Sequence, residues 1–137
     1  MQATNLKTNH LSAPLGMDAG TLFLSWQCAG GVRQTAYEIE VTAGAGTLWT
    51  SGKVLGSGMH TETPAAVPPK TQGQWRIRLW DENDQPGAWS EAEFETGLAQ
   101  SDWQGVWVCP ETEEPDIDCT DAINAFAKPN WEQKQAA

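Results

Sequence analysis

Positive charge is scarce in this sequence. Eight Lys and Arg stand against eighteen Asp and Glu, for a net charge of −10. Nucleic acids and anionic membranes are held by positive surfaces, so neither is expected as a partner. Long apolar runs are also missing. None approaches the roughly 18 residues that a membrane-spanning helix needs. The opening MQATNLKTNHLSAP has no apolar core of the kind found in a signal peptide. Cysteine is limited to Cys28, Cys109 and Cys119, and histidine to His10 and His60. These show no CxxC or HxxxH spacing, so no metal site is expected. An odd number of cysteines without an export signal points to reduced thiols and a cytoplasmic protein. No glycine-rich turn follows a strand and opens a helix, so no nucleotide or other cofactor is implied.

Alternation dominates what is present. In Trp75–Gly97, WRIRLWDENDQPGAWSEAEFETG, the residues Trp75, Ile77 and Leu79 share one face. Arg76, Arg78 and Trp80 share the other. Beyond a turn rich in Asp, Asn, Pro and Gly, Ala92 and Phe94 alternate with Glu91, Glu93 and Glu95. A period of two over a turn of this composition predicts an antiparallel hairpin, half buried on one face.

The rest of the chain can be packed against that hairpin. Residues 1–20 read as polar and irregular. Thr21–Cys28 predicts a strand with Leu22, Leu24 and Trp26 on one face and Phe23 covering an edge. Gln34–Thr42 predicts another, with Tyr37, Ile39 and Val41 inward and Glu38, Glu40 and Thr42 outward. Thr47–Ser51 and Met59–Ala66 predict shorter, weaker strands. Val67-Pro68-Pro69 ends the pairing, because proline has no ladder donor. About seven short strands with regular turns and no helical periodicity are the pattern of an all-β, fibronectin type III or immunoglobulin-like antiparallel β-sandwich. The expected division is a sandwich over residues 1–98 and, over 99–137, a linker, the start of a following domain and a poorly structured tail. Glu111–Asp121 carries six acids and no base, a composition that resists packing. Residues 121–127 could form two helical turns, too few to stand alone.

Four ordered stretches resemble the N-terminal domain of bacterial α-L-rhamnosidases. They are Pro14-Leu15-Gly16-Met17-Asp18 with Leu24-Ser25-Trp26; Gln34-Thr35-Ala36-Tyr37-Glu38-Ile39; Leu48-Trp49-Thr50-Ser51-Gly52-Lys53-Val54; and the Trp75–Leu98 hairpin ending Glu95-Thr96-Gly97-Leu98. The family pattern is PLGID, FSW, QTAYxI, LWDSGKV, WRVRVWD, WS, FETGL and DWxxxWI, in the same order over residues 6–108. The resemblance implies a non-catalytic fibronectin-III-like module at the head of a multidomain glycoside hydrolase. It also implies an (α/α)6 barrel, elsewhere in such enzymes, that carries the acid and base. The expected partners are therefore the other domains of such an enzyme, with rhamnose-containing glycans as a second possibility. No catalytic residue is carried over. Two positions depart from the family pattern. Thr50 replaces an Asp, and Gly73 replaces a Tyr, a loss expected to loosen the loop before Trp75.

Two groups of residues are candidate sites. Glu38 and Glu40 on one side, and Glu93 and Glu95 on the other, are expected to flank Arg76 and Arg78 as an outer-face charge ladder, with Trp89 stacked on the arginines. Carboxylates on open strand positions lack the cleft that a glycosidase uses to flank a bond, so the ladder is read as structural. Trp49, Trp80, Trp103 and Trp107 have no certain inward place and are expected at an interface, at the core edge or under a sugar. Two alternatives use exposed Trp: a free-standing carbohydrate-binding module, which two coplanar, open Trp rings would favour, and a generic protein-interaction module of the fibronectin type. A Trp-bearing patch near Trp103 and Trp107 would favour docking to a neighbouring domain.

Overall fold

A computed structural model of the chain describes residues 1–44, 46–106 and 108. Eight strands occur among them. They are β1 (Gln2–Thr8), β2 (Phe23–Ala29), β3 (Ala36–Ala43), β4 (Gly46–Thr50), β5 (Val54–Leu55), β6 (His60–Glu62), β7 (Gln72–Trp80) and β8 (Ser90–Glu95). One sheet has three strands in the order β1-β2-β6. The other runs β4-β3-β7-β8, with β5 added to the far end of β3. All these strand pairings are antiparallel. Two antiparallel sheets packed face to face are the β-sandwich that the alternation predicts.

The inward positions of both sheets meet in one core. Leu24 and Trp26 come from the first sheet, and Leu22 from the residue just before β2. Tyr37, Ile39, Val41, Trp75, Ile77, Leu79 and Phe94 come from the second, and all are buried. The polar atoms that burial would strand are matched. The Trp75 indole N–H donates to Thr8 Oγ1 at 2.9 Å, and the Trp26 indole N–H donates to Gln34 Oε1 at 3.0 Å. Gln34 turns its amide N–H groups to the Gly56 and Gly58 carbonyls, tying the loop after β5 to the core. An unmatched buried group would cost about 1–3 kcal/mol, so these bonds select one arrangement of the loops. Burial also pushes the thiol pKa of Cys28, beside Gln34, up.

The opening residues are not irregular. β1 pairs with β2 over most of its length, but the register shifts between Thr4 and Lys7. Ala3 and Thr8 are both buried although one is odd and one even, because the bulge resets the alternation. Asn5 sits at φ +47° within it. A period-two reading of the sequence cannot see a strand whose phase changes halfway. The strand expected over Met59–Ala66 shrinks to His60–Glu62, and Val54–Leu55 adds a two-residue strand. Phe23 lies between two imidazoles, His10 at 4.7 Å and His60 at 5.5 Å between ring centroids.

Gly73 corrects another expectation. It lies inside β7, paired with Ala43 on one side and Phe94 on the other. A Cβ there would sit 2.7 Å from Phe94 Cε2. The Phe94 ring occupies the space above the glycine, a cross-strand cover known to repair a glycine's weakness in a sheet. The position is covered strand rather than loose loop.

The compact unit runs Met1–Gln104. A second, Gly105–Ala137, is described only at residues 105, 106 and 108. The expectations for Trp107, Cys109, Cys119, the acidic stretch and the short helix lie outside the described residues.

Candidate functional site

The outward face of the five-stranded sheet collects most of the charge singled out in the sequence. β7 projects Arg76 and Arg78 from this face, and the register with β3 sets Arg76 opposite Glu40 and Arg78 opposite Glu38. Both pairs close at 2.6 Å between a terminal guanidinium nitrogen and Oε2. The Nε–H of each arginine reaches the same oxygen, at 2.8 Å for Arg76 and 2.7 Å for Arg78. All four side chains keep some solvent contact, so each pair contributes roughly 0.2–1 kcal/mol.

Aromatic rings continue the arrangement. The Trp89 ring lies 4.4 Å from the Arg76 guanidinium and 4.8 Å from that of Arg78. The Trp80 ring lies 4.9 Å from Arg78 and 4.8 Å from Lys53 Nζ. Lys53 in turn pairs with Asp84 at 2.6 Å. Cations and rings therefore alternate as Arg76, Trp89, Arg78, Trp80, Lys53. Each contact contributes about 0.5–1 kcal/mol where exposed. Trp80 is only 7% exposed. Although it points away from the core, two cations roof it, so it offers no open interface.

Glu93 and Glu95 do not join the ladder. The register of β7 and β8 sets Glu91 opposite Arg76, Gln74 opposite Glu93 and Gln72 opposite Glu95. Gln74 Nε2 donates to Glu91 at 2.9 Å and Gln72 Nε2 donates to Glu95 at 3.0 Å. β8 begins at Ser90 opposite Ile77, so Arg78 has no strand partner on that side and Trp89 takes the place. Turn length fixes such a register, and alternation alone is silent on it.

Trp49 pairs across from Val41 and packs, half buried, against the core. Trp103 differs, at 68% exposed. Among the described residues it is the one open indole, so no pair of open, coplanar Trp rings forms there.

Trp103 follows the strand from which the chain leaves the sandwich. Leu98 and Leu15 are exposed near the same strand end. The segment carrying Leu15 runs along the open edge of β8. The Glu95 N–H donates to the Pro14 carbonyl at 2.9 Å, and the Met17 N–H donates to the Glu95 carbonyl at 3.0 Å. This covers an edge that would otherwise invite another strand. At a different loop, Glu82 accepts the Val32 and Arg33 N–H groups at 3.0 and 3.3 Å. Those bonds hold its carboxyl below the usual range. The sequence reading missed Glu82 and Gln34, because both act through loops far apart in the chain. Gly30-Gly31 ahead of Val32, both at positive φ, was the available signal for the first.

Comparison with known proteins gives one consistent result. Residues 3–100 match the family described as Rha78A-like, N-terminal immunoglobulin domain. The chain is 34% identical over 134 residues to an α-L-rhamnosidase of Streptomyces avermitilis, covering 86% of this chain and 13% of that protein. It is 29% identical over 109 residues to one of Alteromonas sp., covering 69% and 12%. Among solved structures, it is similar to the α-L-rhamnosidase of Dictyoglumus thermophilum, with a TM-score of 0.70 at 29% identity. That match covers 76% of this chain and 13% of the other. The chain thus spans only a small part of the relatives it matches.

Proposed function

This chain belongs to the Rha78A-like N-terminal immunoglobulin domain family, and we propose that it serves as the accessory sandwich of an α-L-rhamnosidase-type enzyme, docking against the domains beyond it. The observation that carries this reading is the exposure of Trp103 at the end where the chain leaves the sandwich. Large apolar surface left in water at such a place favours burial against a partner. Leu15, 82% exposed, and Leu98 extend the apolar character of that end. The opposite candidate surface, the ladder of Arg76, Arg78, Trp89 and Trp80, has its charges and rings engaged with one another.

Carbohydrate binding by the free-standing module is the reading to test against. The purified chain would be titrated with L-rhamnose and rhamnosyl oligosaccharides, following tryptophan fluorescence and heat. No saturable binding is expected up to about 1 mM, a limit corresponding to about 4 kcal/mol. Saturable binding below that concentration, abolished by Trp103→Ala, would replace docking with sugar recognition.

A further inference from the structure

The outgoing chain is held from two sides. The Gly97 N–H donates to the Met17 carbonyl at 2.8 Å, and the Lys70 N–H donates to the Gly97 carbonyl at 2.9 Å. A Cβ on Gly97 would lie 2.9 Å from the Gly16 carbonyl oxygen, so only glycine fits between the two loops. Thr96 adds its hydroxyl, which donates to the Pro68 carbonyl at 2.7 Å and accepts the Thr71 N–H at 2.9 Å. The chain then makes a single 3-10 turn, Gln100–Asp102.

Asp102 closes this turn with both of its oxygens. Oδ2 accepts the Ala99 N–H at 2.9 Å, and the Asp102 N–H donates to the Ala99 carbonyl at 2.9 Å. Oδ1 meets Lys70 Nζ at 2.8 Å. One carboxylate thus joins the turn to the loop before β7. Lys70 sits at φ +56°, a left-handed conformation that few non-glycine residues adopt. That backbone lets its N–H bond Gly97 while its ammonium reaches Asp102. The pairing, with the Ala99 bond, holds the Asp102 carboxyl below the usual range.

We propose that Lys70 and Asp102 form a clasp that holds Leu98–Trp103 in one conformation, so that Trp103 is presented ready for docking. Trp103 follows the clasp directly, its N–H donating to the Gln100 carbonyl at 3.3 Å. A floppy exit would have to be ordered each time the partner docked, and that entropy would be lost from the binding energy. A preset exit avoids the loss. Lys70 and Asp102 are positioning residues in this sense, acting through Trp103. The inference deepens the docking reading and rests on it for its purpose, while the clasp itself can be tested apart from it.

The test is backbone order in the full 137-residue chain, measured by nitrogen-15 relaxation. The amides of Ala99, Asp102 and Trp103 are expected at order parameters near about 0.85, like the core strands. In Asp102→Ala, and separately in Lys70→Met, they should fall below about 0.6 while Ile77 and Leu79 stay unchanged. The second variant leaves the Ala99 bond to Asp102 available and so isolates the ion pair. Mobile exit amides in the unaltered chain would overturn the clasp. Order that survives Lys70→Met would overturn it too, by leaving the turn's own hydrogen bonds as the cause. Neither result bears on docking, which hydrogen exchange in a chimera with a related α-L-rhamnosidase decides independently.

Discussion

A methyl group added at Gly73 has no free space, because the Phe94 ring already lies over the backbone. Gly73→Ala is therefore expected to destabilise the chain by about 1–3 kcal/mol, the usual cost of overpacking. Trimming the ring in Gly73→Ala/Phe94→Leu should return part of the loss in a urea titration. Additive losses would mean that the two residues do not compete for the same space. Glu82 gives a pH prediction. Its folded pKa lies below the unfolded value of about 4.3, so the folded chain binds this proton less readily. The stabilisation is complete above the unfolded value and is lost as pH falls through the lower, folded one. Asp102 behaves in the same sense. Glu82→Gln should make the decline in urea midpoint between about pH 6 and pH 3 shallower than in the unaltered chain. Parallel curves would remove the Glu82 bonds to Val32 and Arg33 from the account. Residue contacts of this kind were mostly illegible in the sequence. Gly73 and Phe94 are 21 positions apart, and only the β7–β8 register brings them together.

Strands were more legible than contacts, and the reason is the period of two. β2, β3, β7 and β8 bury one face and leave most of the other partly open, so their alternation shows, with Ala36 and Trp80 as buried exceptions on the outward face. β1 was hidden by its bulge. β5 is too short for any period to show, and β6 was legible only as part of a longer strand. The ladder was read correctly where it joins β3, because Glu38 and Glu40 fall opposite Arg78 and Arg76. It was misplaced toward β8, where the long turn decides which residues face the arginines. The two sides should behave differently on substitution. A double-mutant cycle of Glu38→Ala and Arg78→Ala is expected to give a coupling of about 0.2–1 kcal/mol that shrinks in high salt. The same cycle between Glu93→Ala and Arg78→Ala should give none beyond error. Equal couplings on both sides would contradict the observed register.

At the scale of the molecule, composition and strand spacing were enough for the sandwich, since seven or so short alternating strands have few other ways to bury their faces. They were silent about purpose, and it was the ordered motifs that pointed to the rhamnosidases. The open indole at Trp103 then distinguishes one end of the sandwich from a ladder face whose groups bind one another. The docking account is tested most directly in a chimera. Residues 1–104 would replace the matching segment of the Streptomyces avermitilis α-L-rhamnosidase, and hydrogen exchange would be compared with that of the chain alone. The account predicts new protection at Leu15, Leu98 and Trp103 and unchanged exchange along Arg76, Arg78 and Trp89. Protection appearing on the ladder face instead, or no change at the Trp103 end, would contradict it.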